Sequence, residues 1–218
     1  MVMDKQGTLR ITEIFYSLQG ETRTVGLPTV FVRLTGCPLR CGYCDTAYAF
    51  SGGHLMTLDD IIERVKGFHP RYVTVSGGEP LAQKNCLSLL ELLCDEGYEV
   101  SLETSGALPV ADVDKRVVKV IDIKTPGSGE AHRNHMANFL HVLPQDQLKF
   151  VICHRADYTW SKDFILEHQL EGRAEILFSP SYQALSATDL ANWIIQDNLP
   201  VRMQIQLHKY LWQDQPGH

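Results

Sequence analysis

The chain lacks any run approaching the ~20 consecutive apolar residues that a membrane-spanning helix needs, which argues against a membrane protein. It has no surplus of positive charge: 20 Lys and Arg stand against 26 Asp and Glu, a net charge of −6. That balance argues against a broad basic footprint for nucleic acid, though not against a local anion site. The opening residues, Met1 to Gly7, are polar and lack the apolar stretch of an export signal. Internal repeats, low-complexity runs and Pro/Gly/Ser-rich linkers are also missing, so a single domain over 1–218 is expected. With 44% apolar and 21% charged residues, the composition is that of an ordinary folded protein and excludes a disordered one.

What is present is cysteine: six, at 37, 41, 44, 86, 94 and 153. A chain of 218 residues can bury a core without cross-links. In the reducing cytoplasmic setting expected for it, clustered cysteines point to metal ligation or catalysis. Cys86, Cys94 and Cys153 stand singly in periodic runs and read as small core residues.

Short runs rich in Val, Ile, Leu and Phe alternate with longer amphipathic ones. Strands are predicted at Thr29–Leu34, Tyr72–Val75, Glu99–Glu103, Val117–Ile123, Leu148–Cys153, Ile176–Phe178 and Val201–Leu207. Helices are predicted at Leu58–Lys66, capped by Thr57, and at Leu81–Glu96, Tyr158–Leu170 and Ser186–Gln196. A short helix is also expected near His135–Leu140. Strand–helix alternation implies a parallel sheet with helical crossovers. About six units are too few for a closed (β/α)8 barrel of ~250 residues. An incomplete (β/α) barrel is therefore expected, with a doubly wound open sheet as the competing architecture. In both, ligands collect at the C-terminal ends of the strands.

Cys37-Pro38-Leu39-Arg40-Cys41-Gly42-Tyr43-Cys44 follows the first of those predicted strands directly. Gly36, Pro38 and Gly42 favour a loop over a helix. Three thiolates this close repel one another, so a cation that holds them deprotonated resolves the arrangement. A structural zinc wants four ligands, and His54 is the candidate for the fourth. An iron–sulfur cube with one iron open to a small molecule suits three, and reactive thiols are the third alternative. A second motif, Val73-Thr74-Val75-Ser76-Gly77-Gly78-Glu79-Pro80, runs from a strand into two glycines and an acid. The glycines suit a close backbone approach to a ligand, and Glu79 offers an acceptor for an ammonium group.

The C-x3-C-x2-C spacing, with Tyr43 before the last cysteine and Gly77-Gly78-Glu79-Pro80 one unit later, resembles the radical S-adenosylmethionine (SAM) superfamily. Within it, Leu18-Gln19-Gly20-Glu21, Arg33, Cys44-Asp45-Thr46, Glu103-Thr104-Ser105-Gly106 and Gln206 to Tyr210 are similar to the 7-carboxy-7-deazaguanine synthase family of queuosine precursor biosynthesis. The resemblance implies a lyase that converts 6-carboxy-5,6,7,8-tetrahydropterin to 7-carboxy-7-deazaguanine with loss of ammonia. It implies a [4Fe–4S] cluster on Cys37, Cys41 and Cys44, whose reduction cleaves SAM to a hydrogen-abstracting radical. It further implies SAM contacts from Gly77, Gly78, Glu79, Gly106 and Lys124, and Mg2+ on Thr46. Substrate contacts are implied for Leu18, Gln19, Gly20, Arg33, Thr104, His208 and Lys209, the last two at the end of the final strand. Arg33 offers a fork for a carboxylate, and Gln19 has donors and an acceptor for a pterin edge. An electron donor such as flavodoxin and a homodimer complete the expectation.

Two segments depart from the pattern. The L-Q-G-E-G opening of relatives reads Leu18-Gln19-Gly20-Glu21-Thr22, without the second glycine, and an S-P-K segment reads Asp122-Ile123-Lys124. The competing functions are a glycyl-radical-activating enzyme of the same superfamily and a non-catalytic zinc-stabilised binding module. His132 and His135 share i, i+3 spacing without a carboxylate partner nearby and are expected to bind no metal.

Overall fold

The hydroxyl of Thr57 accepts a hydrogen bond from Asp60 N at 3.1 Å and so starts helix α1 (Leu58–Lys66) where its sequence predicts. Leu58, Ile61, Ile62 and Val65 fall on its buried face, and Asp59, Asp60 and Glu63 are exposed. The computed structural model describes residues 7–213 together with 215 and 217; Met1–Gln6, whose polarity argues against an export signal, lie outside the described residues. Among the described residues no helix is long and apolar enough to cross a membrane.

The strands are β1 (Thr8–Leu18), β2 (Pro28–Leu34), β3 (His54–Thr57), β4 (Tyr72–Gly77), β5 (Glu99–Thr104), β6 (Val118–Ile123), β7 (Gln147–Ile152), β8 (Glu175–Pro180) and β9 (Arg202–Met203). They form one sheet in the order β3-β1-β2-β4-β5-β6-β7-β8-β9. From β2 to β9 every pairing is parallel, while β1 and β3 add antiparallel to the first edge. The parallel strands follow chain order without the reversal that a doubly wound sheet requires, and the sheet ends at β3 and β9 without closing. The architecture is an incomplete barrel.

The remaining helices are α2 (Cys86–Asp95), α3 (Arg155–Glu167), α4 (Ala187–Gln196) and α5 (Leu207–Trp212). Several expected boundaries change. Pro80 turns the chain through a 3-10 turn at Pro80–Ala82, so α2 begins at Cys86 rather than Leu81. The β5–β6 connection carries no helix, and β6 to β7 is spanned by 3-10 turns, including Met136–His141 in place of the short helix. The strand expected over Val201–Leu207 shrinks to Arg202–Met203, and Leu207 opens α5.

Strand β1 was hidden from period-2 reading by a bulge. Its register shifts between Ile11 and Glu13, so odd positions (Leu9, Ile11) enter the core before it, whereas Ile14 packs on the core after it.

The gap between the first strands and β9 is crossed by the segment after β1. Thr22 N donates to Gln204 Oε1 at 2.7 Å, Arg23 N to Gln147 Oε1 at 3.2 Å, and Leu207 N to Gly20 O at 2.9 Å. Glu21 pairs there with Lys149 of β7.

Candidate active site

A cavity of about 710 Å³ opens at the C-terminal ends of the strands, where this architecture places ligands. Cys37, Cys41 and Cys44 line it from the loop after β2, half-buried and free of disulfides. The loop is pinned by Gly42 N to Ser128 O at 3.0 Å and by the Arg40 guanidinium, which donates to the carbonyls of Cys37 and Leu39 and lies 4.3 Å over the Phe50 ring. Burial pushes the Cys41 thiol up to about 11, with Lys124 opposing and Asp122 adding; Cys37 and Cys44 are likewise raised by burial. Such thiols ionise readily only when a cation shares their site. Among the described residues no three His, Cys, Asp or Glu side chains converge as single-ion ligands do. Three cysteines match a cube that spreads three thiolates over three irons and leaves the fourth iron open, whereas a structural zinc wants four ligands. His54, the candidate fourth zinc ligand, is exposed on edge strand β3 opposite Ile11 and is not among the residues that line the cavity with the cysteines.

The two glycines of the second motif answer to the protein's own backbone. A Cβ on Gly77, whose φ is 144°, would meet Leu34 O at 2.2 Å, and one on Gly78 would meet Gly36 O at 2.3 Å. They let the end of β4 nest against the cysteine loop; Glu79 N donates to Gly36 O at 2.8 Å across this join. Both glycines also line the cavity. Glu79 is wholly buried, and its carboxylate accepts from Leu81 N, Thr104 Oγ1, Ser105 N and Ser105 Oγ. The ammonium acceptor expected from the sequence is thus a buried hub that ties β4 to the end of β5, and the Thr104 hydroxyl is committed to it. Gly106, at φ 74°, passes 2.9 Å from Asp122 O by its would-be Cβ, and its carbonyl accepts from His135 N.

Arg33, on β2 four residues before Cys37, lines the same cavity. Its Nε donates to Glu13 Oε1 at 2.7 Å, Glu13 accepts from the Tyr48 hydroxyl at 2.8 Å, and the guanidinium lies near the rings of Phe15 and Tyr48. Glu13 thereby fixes the fork. Burial first, then the bond to Glu13, pushes the Tyr48 phenol up to about 12 against the opposing Arg33. Leu18, Gln19 and Gly20 line the same cavity. The Gln19 amide, expected to read a heterocycle edge, is already engaged: Nε2 donates to Thr74 Oγ1 and Glu103 Oε1 at 3.2 Å each, and Oε1 accepts from Glu21 N. A Cβ on Gly20 would strike His208 Nδ1 at 2.3 Å, so glycine is what lets His208 close over this loop.

His208 and Lys209 line the cavity from α5, not from a strand end as expected. Lys209 Nζ lies 3.4 Å from Asp45 Oδ2 and 4.6 Å from the Tyr182 ring centroid. Asp45 also accepts from Gln206 Nε2 and Thr46 Oγ1, at 2.9 Å each. Burial works against its charge, yet Lys209 and these bonds hold the carboxyl down to about 2.

Sequence reasoning gave no role to three of the cavity's charges, Lys149, Glu103 and Glu21. Lys149 and Glu103 project inward from β7 and β5, and Glu21 reaches Lys149 from the loop after β1. Lys124 pairs with Asp122 at 3.0 Å, and a pair of hydrogen bonds with Asn134 clamps its backbone. Burial works against both lysines' charges, but Asp122 at Lys124 and Glu21 at Lys149 raise both ammonium pKa values on balance. The available signal was a charged residue inside an apolar strand, as in Leu148-Lys149-Phe150.

Residues 31–123 match the family described as the Radical SAM superfamily. The chain is 47% identical over 213 residues to a 7-carboxy-7-deazaguanine synthase of Chlorobaculum tepidum, covering 96% of this chain and 97% of that one. It is 41% identical to the synthase of Koribacter versatilis, covering 94% and 97% respectively. The crystal structure of QueE from Escherichia coli superposes with a TM-score of 0.79 at 23% identity, over 95% of this chain and 100% of that one, which establishes the shared fold. With such identity along nearly the full length of its relatives, the chain belongs to the 7-carboxy-7-deazaguanine synthase family of radical SAM enzymes.

Proposed function

We propose that the protein converts 6-carboxy-5,6,7,8-tetrahydropterin to 7-carboxy-7-deazaguanine, with loss of ammonia, in queuosine precursor biosynthesis. The observation that carries the reading is one cavity of about 710 Å³ lined both by three free cysteines and by an arginine braced at its Nε by Glu13. That volume is in the range of ligand sites that enclose small molecules. Cys37, Cys41 and Cys44 would hold a [4Fe–4S] cluster, which together with SAM would supply the one-electron cleavage and hydrogen abstraction.

The chain's residues bind and orient. Arg33, steadied at Nε by Glu13, presents its guanidinium to the substrate carboxylate. The backbone of Leu18–Gly20 borders the heterocycle, because the Gln19 side chain is spent inside the cavity wall. Gly77, Gly78 and Lys124 flank the cofactor side and Glu79 and Gly106 support it from behind, while Thr104 lines the cavity towards the substrate with its hydroxyl held by Glu79. Thr46, with Asp45 beside it, offers hard oxygen ligands to Mg2+. His208 and Lys209 shut the cavity from α5. A cytoplasmic setting agrees with six free cysteines, and a homodimer served by an external electron donor such as flavodoxin belongs to the same reading.

The test is anaerobic. The iron- and sulfide-reconstituted protein is reduced and supplied with SAM, Mg2+ and 6-carboxytetrahydropterin, and products are followed by mass spectrometry. The expected product is 7-carboxy-7-deazaguanine, diminished without Mg2+. SAM cleavage with the pterin left intact would overturn the substrate, and zinc uptake without iron would overturn the chemistry.

A further inference from the structure

Thr22 has a φ of 68°, a left-handed backbone conformation that suits glycine. A β-branched residue in the left-handed region is strained, and such strain persists only where the surroundings hold it. The holding group is visible. Thr22 N donates to Gln204 Oε1 at 2.7 Å, and both residues are buried.

Gln204 is itself fixed at both ends. Its Nε2 donates to Ser179 Oγ at 2.9 Å, and its backbone N donates to Phe178 O at 3.0 Å on β8. One residue further along the loop, Arg23 N donates to Gln147 Oε1, again on a buried amide. Three residues beyond Gln204, Leu207 N donates to Gly20 O. The loop therefore spans from β1 to the far edge of the sheet on backbone amides received by the chain's own side chains, with Gln204 as the shortest of these links.

We propose that Gln204 is a positioning residue: it clasps the Gln19–Arg23 segment across the open seam of the barrel and so shapes the substrate side of the cavity. The inference rests on the reading of Leu18–Gly20 as the substrate border. Gln204 acts through Thr22 and needs no contact with the reacting atoms. Its removal frees Thr22 to leave the left-handed region, which draws Gly20 and Gln19 away from their places. A glycine at 22 would stay there without strain, so Thr22→Gly is expected to compensate for the loss of the clasp.

Amide hydrogen exchange of the cluster-loaded, substrate-free enzyme reads the clasp directly. In Gln204→Met, exchange at Thr22 and Arg23 is expected to quicken about tenfold, the equivalent of one hydrogen bond. KM for the pterin is expected to rise by about the same factor, with kcat within about twofold. Adding Thr22→Gly recovers part of that KM, whereas a structural defect elsewhere would leave the two changes additive. Ser179→Ala keeps the acceptor and loosens only its anchor; it gives a smaller shift in the same directions and serves if Gln204→Met does not fold. Unchanged exchange at Thr22 and Arg23 in both variants overturns the clasp. Faster exchange with unchanged KM overturns its role in positioning substrate. If the wild-type enzyme yields no deazaguanine, the functional reading fails, and the exchange arm still decides whether Gln204 holds the loop.

Discussion

On β7, Leu148, Phe150 and Ile152 point outward beneath the helices with no exposure, while Lys149 and Val151, one step along, face the cavity. The same division runs around the sheet. Outward positions are Val30, Val32 and Leu34 on β2, Val73 and Val75 on β4, and Val100 and Leu102 on β5. Inward ones include Arg33, Ser76, Glu103, Asp122 and Ser179. A closed barrel fills its interior with branched apolar side chains; here the inner face is given to charge and hydrogen bonding. The outer face therefore carries the stability and the inner face the chemistry, separated by the two-residue period of a strand.

The most severe break in this comparison is on the inner side. Cys41→Ala should abolish product formation and cluster loading, measured as turnover and iron content, because the two remaining thiolates cannot hold the cube. The thermal midpoint of the metal-free protein should stay within a few degrees, since Cys41 adds nothing to the core. A metal-free variant that fails to fold would show that the two faces are not separable.

Phe150→Ala attacks the outer side. Phe150 is fully buried and packs against Phe178 at 5.5 Å and Phe164 at 6.1 Å between ring centroids. Losing the ring should cost about 3–5 kcal/mol in denaturant unfolding. Turnover per folded molecule should change little, and a large fall in kcat would show that the core transmits strain to the site.

Two buried lysine–carboxylate pairs sharpen the contrast. Lys119 meets Asp146 at 2.7 Å on the outer face near the base of the barrel, and Asp146 also accepts from Lys119 N and Leu143 N. Lys119→Met leaves that carboxylate charged and sealed, at a cost of about 3 kcal/mol, with KM unchanged. Lys149→Met leaves Glu21 beside a large cavity that water can enter. Its stability cost should be smaller, about 1–2 kcal/mol, and its main effect a severalfold rise in KM. The reverse ranking would mean that Lys149, not Lys119, is the structural member.

The division between faces also explains what the sequence disclosed. The outer face was legible because alternate apolar residues and cap signals are local: α1 and β5 fall within a residue of their expected bounds. The cysteine triplet and the two glycines were legible because their spacing is itself the signal. Partnership was not. Nothing near Glu79 in sequence says that Thr104 and Ser105 will occupy its carboxylate, and nothing near Gln19 says that Glu103 will take its amide. β1 escaped because its bulge reverses the alternation halfway, and α5 escaped because the strand expected over Val201–Leu207 ran into its first residue, and only five residues of the helix follow.

The smallest expected effect tests whether the outer face is as indifferent to catalysis as this division requires. Thr57 caps α1 through Asp60 N and lies outside the lining of the cavity. Thr57→Ala leaves the first turn of α1 with an unsatisfied donor and should cost about 1 kcal/mol, a fall of about 2–4 °C in Tm for a chain this size. α1 covers the first edge of the sheet through Ile61, Ile62 and Val65, so the loss should appear in the unfolding midpoint while kcat and KM hold. Catalysis that weakened as much as stability would mean that α1 helps set the position of β1, and with it the Leu18–Gly20 border that β1 delivers to the cavity.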